Sequence, residues 1–269
     1  MVTVERLQRI AEGREAEIFA WEEGRVLRLF RGDRSREALE REAAAMRAAR
    51  AVVPYVPQVY EIVEVEGRPG IVMERVEGTD LITLLGKRPW MIWRAGTMLG
   101  KVQAGLHGVQ APPELSSLRD RIERACGLPT MPPDFGATVR TLLAALPDGD
   151  VLCHGDFHPG NMLMTKSGPV VIDWPNVTRG DATADYARSE LLLEMGSPPP
   201  GTPALVRYME GIGRKLIEAA FRRAYNAARP VDPDLARRWR VVRMADRLAA
   251  DAIPEEREVL LGMLREELG

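Results

Sequence analysis

Residues 151–164 read VLCHGDFHPGNMLM, and residues 169–174 read PVVIDW. In the first segment a polar loop with two glycines and a proline separates two apolar flanks, and in the second an apolar run ends at the carboxylate of Asp173. Short apolar runs bounded by turn residues are typical of buried strands. If the two segments lie side by side, the side chains of Asp156, Asn161 and Asp173 converge on one rim. Packing alone does not require polar side chains at these positions, so the pattern indicates a functional site.

The three side chains on this rim suit phosphoryl transfer. Magnesium prefers hard oxygen ligands and accompanies phosphates, so the amide oxygen of Asn161 and the carboxylate of Asp173 fit a nucleotide-metal site. Asp156 then remains for the hydroxyl group of an acceptor. Phosphoryl transfer needs positioning, neutralisation of charge by metal, and a carboxylate that orients the hydroxyl and accepts its proton. The pattern therefore predicts a site that uses ATP and Mg2+.

The first third of the chain predicts a small sheet with one helix. Alternating apolar residues and turn signals indicate four strands: residues 17–21, 25–30, 59–66 and 70–76. Residues 35–50 are rich in alanine, arginine and glutamate, with Ser35 placed to cap a helix. Leu39, Ala43 and Met46 form the apolar stripe of that helix.

A cation and a carboxylate in this part are predicted to pair. Arg28 lies inside the apolar run of residues 26–30, and a buried guanidinium group needs a carboxylate partner. Glu42 lies on the helical stripe that should face the sheet. An ion pair between Arg28 and Glu42 would supply the cation that a nucleotide's phosphates require.

From residue 78 onward the pattern is mainly helical. Residues 81–109 are helical with a break near Pro89, and the segment after residue 204 is helical with breaks at three further prolines. Proline and glycine cluster in residues 196–203, which predicts a loop. The fold class is therefore α+β, with predicted domains at residues 1–77 and 78–269.

At this point a family resemblance can be stated. The loop of residues 154–161, HGDFHPGN, followed twelve residues later by Asp173, resembles the aminoglycoside phosphotransferase and choline kinase-like family, which has a two-lobed protein-kinase-like fold. The family pattern is His-x-Asp-x-x-x-x-Asn and then a carboxylate after an apolar pair. The resemblance implies that Asp156 is the catalytic base, that Asn161 and Asp173 bind magnesium, and that Asp185 braces the loop. His154 is expected to stabilise the loop backbone.

The resemblance also implies a nucleotide site in the first lobe. Residues 13–19 occupy the place of the phosphate-binding loop but lack its glycine-rich string. The family usually has lysine where this chain has Arg28. Glu74 and Val76 fall where the family's interlobe hinge contacts adenine through main-chain atoms. The predicted nucleotide-binding set is Arg28, Glu42, Glu74 and Val76.

The sequence leaves the identity of the acceptor molecule open. An aminoglycoside-like antibiotic is implied by the resemblance, and Glu190 and Glu194 are candidates for an acidic pocket that would suit a cation. A metabolite kinase acting on choline, homoserine or a sugar needs the same loop. A catalytically weak nucleotide-binding module is a further alternative. A protein kinase is less favoured because residues 173–185 leave little room for a long activation segment.

Composition bounds the remaining possibilities. The chain has 269 residues, 37 Lys plus Arg against 39 Asp plus Glu, and no basic stripe, so nucleic acid is not an expected partner. Charges throughout residues 1–20 and the lack of a long apolar run predict a cytoplasmic protein without membrane contact. Two cysteines are too few for a disulfide scaffold. The sequence leaves the oligomeric state open.

Three aromatic or histidine features favour packing over function. Trp90, Trp93 and Trp174 are predicted to be packing residues, although Trp174 directly follows Asp173 and is also placed to border an acceptor site. His107 is predicted to be a packed histidine at a helix end. His154 and His158 flank Asp156 at a spacing that also occurs in metal-binding turns. That interpretation is disfavoured because His107 is the chain's only other histidine.

Overall fold

The computed structural model describes residues 3–13, 15–32, 34–195, 204–251 and 254–268. Within these ranges the first 74 residues contain one antiparallel sheet of five strands, in the order β1-β2-β3-β5-β4, and one long helix. The elements are β1 (Arg9–Glu12), β2 (Ala16–Ala20), β3 (Arg25–Phe30), α1 (Arg36–Val52), β4 (Val59–Val65) and β5 (Arg68–Glu74).

Strand β3 separates two packing layers because successive side chains point to opposite faces of a sheet. Leu27 and Leu29 belong to a small apolar cluster on one face. Phe30 belongs to the large core on the other face, together with Leu39 and Met46 of α1. Arg28 shares the face of Phe30 and therefore faces α1.

Helix α1 has the predicted cap and the predicted buried stripe. The Ser35 hydroxyl accepts a hydrogen bond from the Ala38 N–H, which satisfies one of the free donors at the start of the helix. Five side chains of α1 are buried against the sheet: Leu39, Glu42, Ala43, Met46 and Ala49. A carboxylate thus lies inside an apolar face.

The rest of the described chain is mainly helical. Its helices are α2 (Leu81–Lys87), α3 (Ile92–Leu106), α4 (Leu118–Ala125), α5 (Pro133–Ala144), α6 (Ala182–Met195), α7 (Ala204–Ala228), α8 (Pro233–Asp246) and α9 (Pro254–Leu268). Its short strands are β6 (Thr79–Asp80), β7 (Val151–Cys153), β8 (Met162–Thr165), β9 (Gly168–Val171) and β10 (Thr178–Gly180). The predicted α+β class, a small sheet with one helix followed by a mainly helical part, is confirmed.

Two small antiparallel sheets position the segments that open the sequence analysis. Strand β7 pairs with β10, and β8 pairs with β9 in a hairpin in which Met162 lies opposite Val171. The loop of residues 154–161 joins β7 to β8, and the hairpin brings Asn161, just before β8, beside Ile172, just after β9. The predicted convergence of Asn161 and Asp173 follows from this pairing.

Helices α3 and α7 form the support behind the loop, and two glycines allow their close approach. A Cβ atom on Gly96 would lie 2.3 Å from the carbonyl oxygen of Ile217, and one on Gly100 would lie 2.4 Å from that of Phe221. These distances are far below van der Waals contact, so alanine at either position would push the helices apart. Buried aromatic side chains of α7, including Phe221 and Tyr225, complete this core.

Two sequence predictions need correction. The edge strand β1 was not predicted, because all four of its side chains are exposed and no apolar alternation marks it. Trp90 and Trp93 are not packing residues: their exposed fractions are 76% and 48%. The loop predicted for residues 196–203 lies outside the described residues. The domain boundary after residue 77 falls between β5 and β6 and stays a prediction.

Both cysteines, Cys126 and Cys153, are buried free thiols. Within the described ranges, no helix combines the length and the apolar character that a membrane span needs.

Candidate active site

The polar loop after β7 carries Asp156. It leaves the strand at Cys153, turns at Gly155, and enters a short 3-10 turn at Pro159–Asn161 before β8 begins. The His158 ring caps that turn by accepting a hydrogen bond from the Gly160 N–H at 3.0 Å. The side chain of Asp156 is 24% exposed, so its carboxylate remains accessible.

Gly155 is required by the path of this loop. Its φ is +82°, in the left-handed region that side-chain-bearing residues rarely adopt. A Cβ atom there would also lie 2.6 Å from the carbonyl oxygen of Asn176. The loop therefore passes against the segment that follows Asp173, which brings the two polar segments together.

His154 is buried beneath the loop, and its two ring nitrogens bond to the main chain of the loop and to the main chain that precedes Asp173. The Asp156 N–H donates to Nδ1 at 3.2 Å, and Nε2–H donates to the carbonyl oxygen of Ile172 at 3.0 Å. Burial lowers the pKa of His154 despite the nearby carboxylates of Asp185 and Asp156. The ring is therefore neutral, and with both nitrogens engaged it is not free to bind a metal ion.

Asp185, near the start of α6, holds the same loop from below. Its Oδ1 accepts the Gly155 N–H at 2.7 Å, and its Oδ2 accepts the His154 N–H at 3.1 Å. Burial alone would raise the pKa of Asp185, but the hydrogen bond and charge of His107 outweigh it, so the pKa lies below its ordinary range. An ionised carboxylate thus fixes two consecutive amides of the loop.

Sequence reasoning missed two residues that bind Asp185. His107 Nε2 lies 3.0 Å from Asp185 Oδ2, and Gln103 Nε2 donates to the same oxygen at 3.1 Å. Both side chains come from the last turns of α3, and His107 also contacts the Tyr225 hydroxyl of α7. His107 is packed at a helix end, as predicted, but its contact with Asp185 was not foreseen. Nothing local in residues 103–107 signals this contact.

Asn161 lies between the loop and the strand that leads to Asp173. Its Nδ2 donates to the Asp156 carbonyl oxygen at 2.9 Å and approaches Asp156 Oδ2 at 3.3 Å. Its main-chain carbonyl oxygen accepts a hydrogen bond from the Ile172 N–H at 2.9 Å. Because the amide nitrogen faces Asp156, the amide oxygen faces away from it.

Asp173 ends this second segment in a left-handed conformation, with φ of 64°. Its side chain is 41% exposed. The next residue, Trp174, is fully buried and packs edge-on against His154, with ring centroids 4.6 Å apart. The buried indole anchors the position from which the exposed carboxylate projects.

The donor set fits a magnesium ion that also binds phosphate. The free amide oxygen of Asn161 and the exposed carboxylate of Asp173 are hard oxygen donors, as Mg2+ prefers. In the described part of the chain, no group of three or more His, Cys, Asp or Glu side chains is arranged to hold a metal by itself. Phosphate oxygens would therefore have to supply other ligands.

The electrostatic surroundings keep Asp156 ionised. Burial would raise its pKa, but the contact with His158, whose Nε2 lies 3.6 Å from Asp156 Oδ2, and the charge of Arg188 hold the pKa below its ordinary value. The carboxylate is a weak base at neutral pH. It is suited to orienting a hydroxyl group and receiving its proton late in a reaction.

The predicted contact between Arg28 and Glu42 is confirmed, with Arg28 Nη1 2.9 Å from Glu42 Oε1. Two further contacts were not predicted: Arg34 Nη1 lies 3.1 Å from Glu42 Oε2, and Arg28 Nη2 lies 3.2 Å from Asp173 Oδ1. Burial raises the pKa of Glu42, although both arginines oppose the shift. Arg28 thus links the Glu42 ion pair to Asp173.

The other residues that the sequence predicts to contact a nucleotide lie outside this ion-pair cluster. The Glu74 carboxylate accepts hydrogen bonds from Arg50 and from the Gln58 N–H, and therefore ties the end of β5 to the segment before β4. Val76 is half-buried in the connection between β5 and β6. The turn between β1 and β2 closes with a 2.8 Å bond from the Gly13 N–H to the Ala16 carbonyl oxygen, and Arg14 lies outside the described residues.

The two candidates for an acidic pocket are paired with arginines. Glu190 is buried and contacts Arg222 Nε at 2.6 Å and the Tyr186 hydroxyl at 2.7 Å. Glu194 pairs with Arg240. Neither carboxylate is an unneutralised charge that would by itself attract a cation.

Comparison with solved structures identifies proteins of the same fold. A thermostable mutant of aminoglycoside phosphotransferase APH(4)-Ia, in a ternary complex with ADP and hygromycin B, is 16% identical and has a TM-score of 0.65 over 97% of this chain and 92% of that one. Choline kinase from Cryptosporidium parvum Iowa II is 12% identical, with a TM-score of 0.59 over 98% and 88%. A GDP and kanamycin complex of APH(2″)-IIia is 15% identical, with a TM-score of 0.55 over 99% and 94%.

These similarities confirm the predicted two-lobed protein-kinase-like fold. A search of curated protein sequences gives no match. The model of the phosphotransferase enzyme family (APH) matches residues 6–223, which is most of the chain. The chain therefore belongs to the phosphotransferase enzyme family.

Proposed function

We propose that the protein transfers the γ-phosphoryl group of ATP to a hydroxyl group of a small molecule. The observation that carries this proposal is the meeting of Asp156 and Asn161 beside Asp173, with Asn161 bonded to both segments. Membership of a phosphotransferase family supports it. So do the relatives of the same fold, which were solved with ADP or GDP and an aminoglycoside.

In this proposal Asp156 is the catalytic residue. Its ionised carboxylate would orient the acceptor hydroxyl towards the γ-phosphorus and receive the hydroxyl proton. A bond forms between the acceptor oxygen and phosphorus while the bond to the bridging oxygen breaks, and ADP leaves. Its low pKa suits a reaction in which the proton moves late, because most of the catalysis comes from positioning.

Asn161 and Asp173 would hold Mg2+, and Arg28 with Glu42 would face the phosphates. Bound magnesium neutralises charge on the phosphate oxygens. His154 and Asp185 are positioning residues, because they bond to the loop backbone and not to a reacting group. Glu74 and Val76 would border adenine through main-chain atoms, as the family resemblance implies.

The identity of the acceptor molecule is a separate part of the proposal. An aminoglycoside-like antibiotic is one candidate because relatives of the same fold were solved with hygromycin B or kanamycin. A metabolite such as choline, homoserine or a sugar is the alternative, and a choline kinase shares the fold. Since Glu190 and Glu194 are paired with arginines, charge at these positions does not favour the cationic class.

The deciding experiment compares wild type with Asp156→Ala in an assay of ADP release. Aminoglycosides, choline, homoserine and simple sugars serve as acceptors, and calorimetry measures ATP binding in the presence of Mg2+. We expect wild type to turn over at least one acceptor, and Asp156→Ala to lose turnover by at least about a thousandfold while still binding ATP.

Asp150→Asn is the matched control, because Asp150 is exposed just before β7 and should leave turnover unchanged. An Asp156→Ala variant as active as wild type would refute the catalytic assignment. If wild type binds ATP but neither transfers phosphate nor hydrolyses ATP slowly, the chain is a nucleotide-binding module.

A further inference from the structure

The guanidinium group of Arg28 connects the two lobes. Arg28 lies in β3 of the first sheet, and Asp173 directly follows the β8–β9 hairpin in the second lobe. One nitrogen, Nη1, contacts Glu42 Oε1 at 2.9 Å, and the other, Nη2, contacts Asp173 Oδ1 at 3.2 Å. The Arg28 side chain is only 12% exposed, so the group is held in a defined place.

Glu42 does not depend on Arg28 alone. Its second oxygen contacts Arg34 Nη1 at 3.1 Å, and both guanidinium groups also lie over the ring of Phe30. The buried carboxylate therefore has two cationic partners. One arm of Arg28 satisfies Glu42, and the other is available for a second carboxylate.

Lysine at this position would not reproduce the arrangement. A guanidinium group presents donors in a rigid planar fork and can contact two carboxylates in fixed directions. An ammonium group is a single point of charge at the end of a flexible chain. The bridge from Glu42 to Asp173 is therefore a consequence of arginine at residue 28.

Asp173 is also one of the two residues that would bind Mg2+, so this inference rests on the proposed function. A divalent cation and a guanidinium group repel each other when both approach one carboxylate oxygen. We propose that Arg28 is a positioning residue that clamps Asp173 across the two lobes, and that Mg2+ arriving with the nucleotide must displace it. Arg28 then sets the magnesium requirement for nucleotide binding.

The expected size of the effect is modest. Asp173 is 41% exposed, and ion pairs with an exposed partner are weakened by water and salt. Loss of such a pair changes a competing equilibrium by about two- to fivefold.

The test is Arg28→Lys, which keeps the positive charge and the contact with Glu42 but removes the second arm. Calorimetry of ADP binding at a series of Mg2+ concentrations gives the Mg2+ concentration at which ADP affinity is half-maximally raised. We expect this concentration to fall about two- to fivefold in Arg28→Lys. Arg34→Lys is the matched control, because Arg34 also binds Glu42, and its other carboxylate partner is Glu15 rather than Asp173.

A second measurement needs neither nucleotide nor metal. The thermal stabilities of wild type, Arg28→Lys, Asp173→Asn and the double variant form a double-mutant cycle. We expect the loss of stability from Asp173→Asn to be smaller in the Arg28→Lys background.

The outcomes separate the inference from the proposed function. If wild type shows no Mg2+-dependent ADP binding, the proposed metal site fails. If wild type shows it and Arg28→Lys has the same Mg2+ dependence, or if Arg34→Lys shifts it equally, the clamp is wrong and the proposed function stands. A cycle in which the two substitutions are strictly additive also overturns the clamp.

Discussion

The polar loop, residues 154–161, and the charged corner, formed by Arg28, Arg34 and Glu42, are held by different kinds of contact. In the loop, main-chain N–H groups donate to buried side chains, as Gly155 does to Asp185 at 2.7 Å. In the corner, charged side chains bind one another, as Arg28 and Arg34 bind Glu42. The loop therefore has a fixed backbone, whereas the corner has an adaptable set of ion pairs.

This difference bears on how the two regions should respond to substitution. Each main-chain donor of the loop lies at a fixed place and requires an acceptor there. In the corner, residue 28 is an arginine where the family that the sequence resembles usually has lysine, and the preceding turn lacks a glycine-rich string. Long charged side chains can satisfy the same carboxylate from more than one position, so we expect substitutions to be better tolerated in the corner than in the loop.

Among the substitutions that test this difference, Asp185→Asn should cause the largest loss of stability and activity. Asparagine removes the buried charge and points an amide group at the N–H donors of Gly155 and His154. We expect a loss of about 3 kcal/mol in the free energy of unfolding, measured in urea, and a fall in kcat of about a hundredfold.

A surface carboxylate provides the reference for Asp185. Asp234→Asn, at an exposed position in the first turn of α8, should change the free energy of unfolding by less than about 0.5 kcal/mol. Equal losses from both substitutions would show that the loop does not depend on its buried acceptor.

Alanine should cost more stability at Gly155, in the loop, than at Gly13, in the turn between β1 and β2. Gly155 has positive φ, and its Cβ would meet the Asn176 carbonyl at 2.6 Å, whereas the nearest atom to a Cβ on Gly13 is the Ala16 carbonyl oxygen at 3.4 Å. We expect Gly155→Ala to cost at least about 2 kcal/mol of stability and Gly13→Ala less than about 1 kcal/mol. Thermal or urea unfolding measures both, and a reversed order would mean that the loop can relax around a side chain.

The contributions of Asp185 and Glu42 to stability should change with pH in opposite directions. This is the smallest of the effects expected here. The pKa of Asp185 is lowered in the fold, so its contribution is present above its unfolded pKa and is lost as pH falls through the folded value. The pKa of Glu42 is raised, so its contribution is present below the unfolded pKa and is lost as pH rises through the folded value.

Two variants make this sign measurable. The stability advantage of wild type over Asp185→Asn should grow as pH rises from about 3 to 5, and its advantage over Glu42→Gln should shrink as pH rises from about 4 to 7. Urea unfolding across this range gives both differences. The same sign for both variants would contradict the assigned environments.

Several features of the fold were predictable because their signals are local. The Ser35 cap and the apolar stripe of α1 follow from helical spacing, and the stripe placed Glu42 opposite Arg28. The strand-loop-strand pattern of residues 151–174 placed Asp156 near Asn161. In each case the spacing of residues close together in the sequence was enough to predict the contact.

Other features had no local signal. His107 binds Asp185, which is 78 residues distant along the chain, and Arg28 binds Asp173 across the two lobes. Trp90 and Trp93 were wrongly predicted to be packed, because large aromatic side chains are usually buried but no neighbouring element covers these two among the described residues. Strand β1 is exposed throughout, so apolar alternation could not reveal it.

The sequence by itself determined the family, the α+β class, the loop that carries Asp156 and Asn161, and the apolar run that ends at Asp173. These depend on residue type and on short spacing, which the chain displays directly. The family resemblance already implied that Asp185 braces that loop. Only the tertiary structure decided that His107 and Gln103 bind Asp185 and that Arg28 reaches Asp173 as well as Glu42. Such contacts join distant elements, and their existence depends on how helices and sheets pack, which no local pattern encodes.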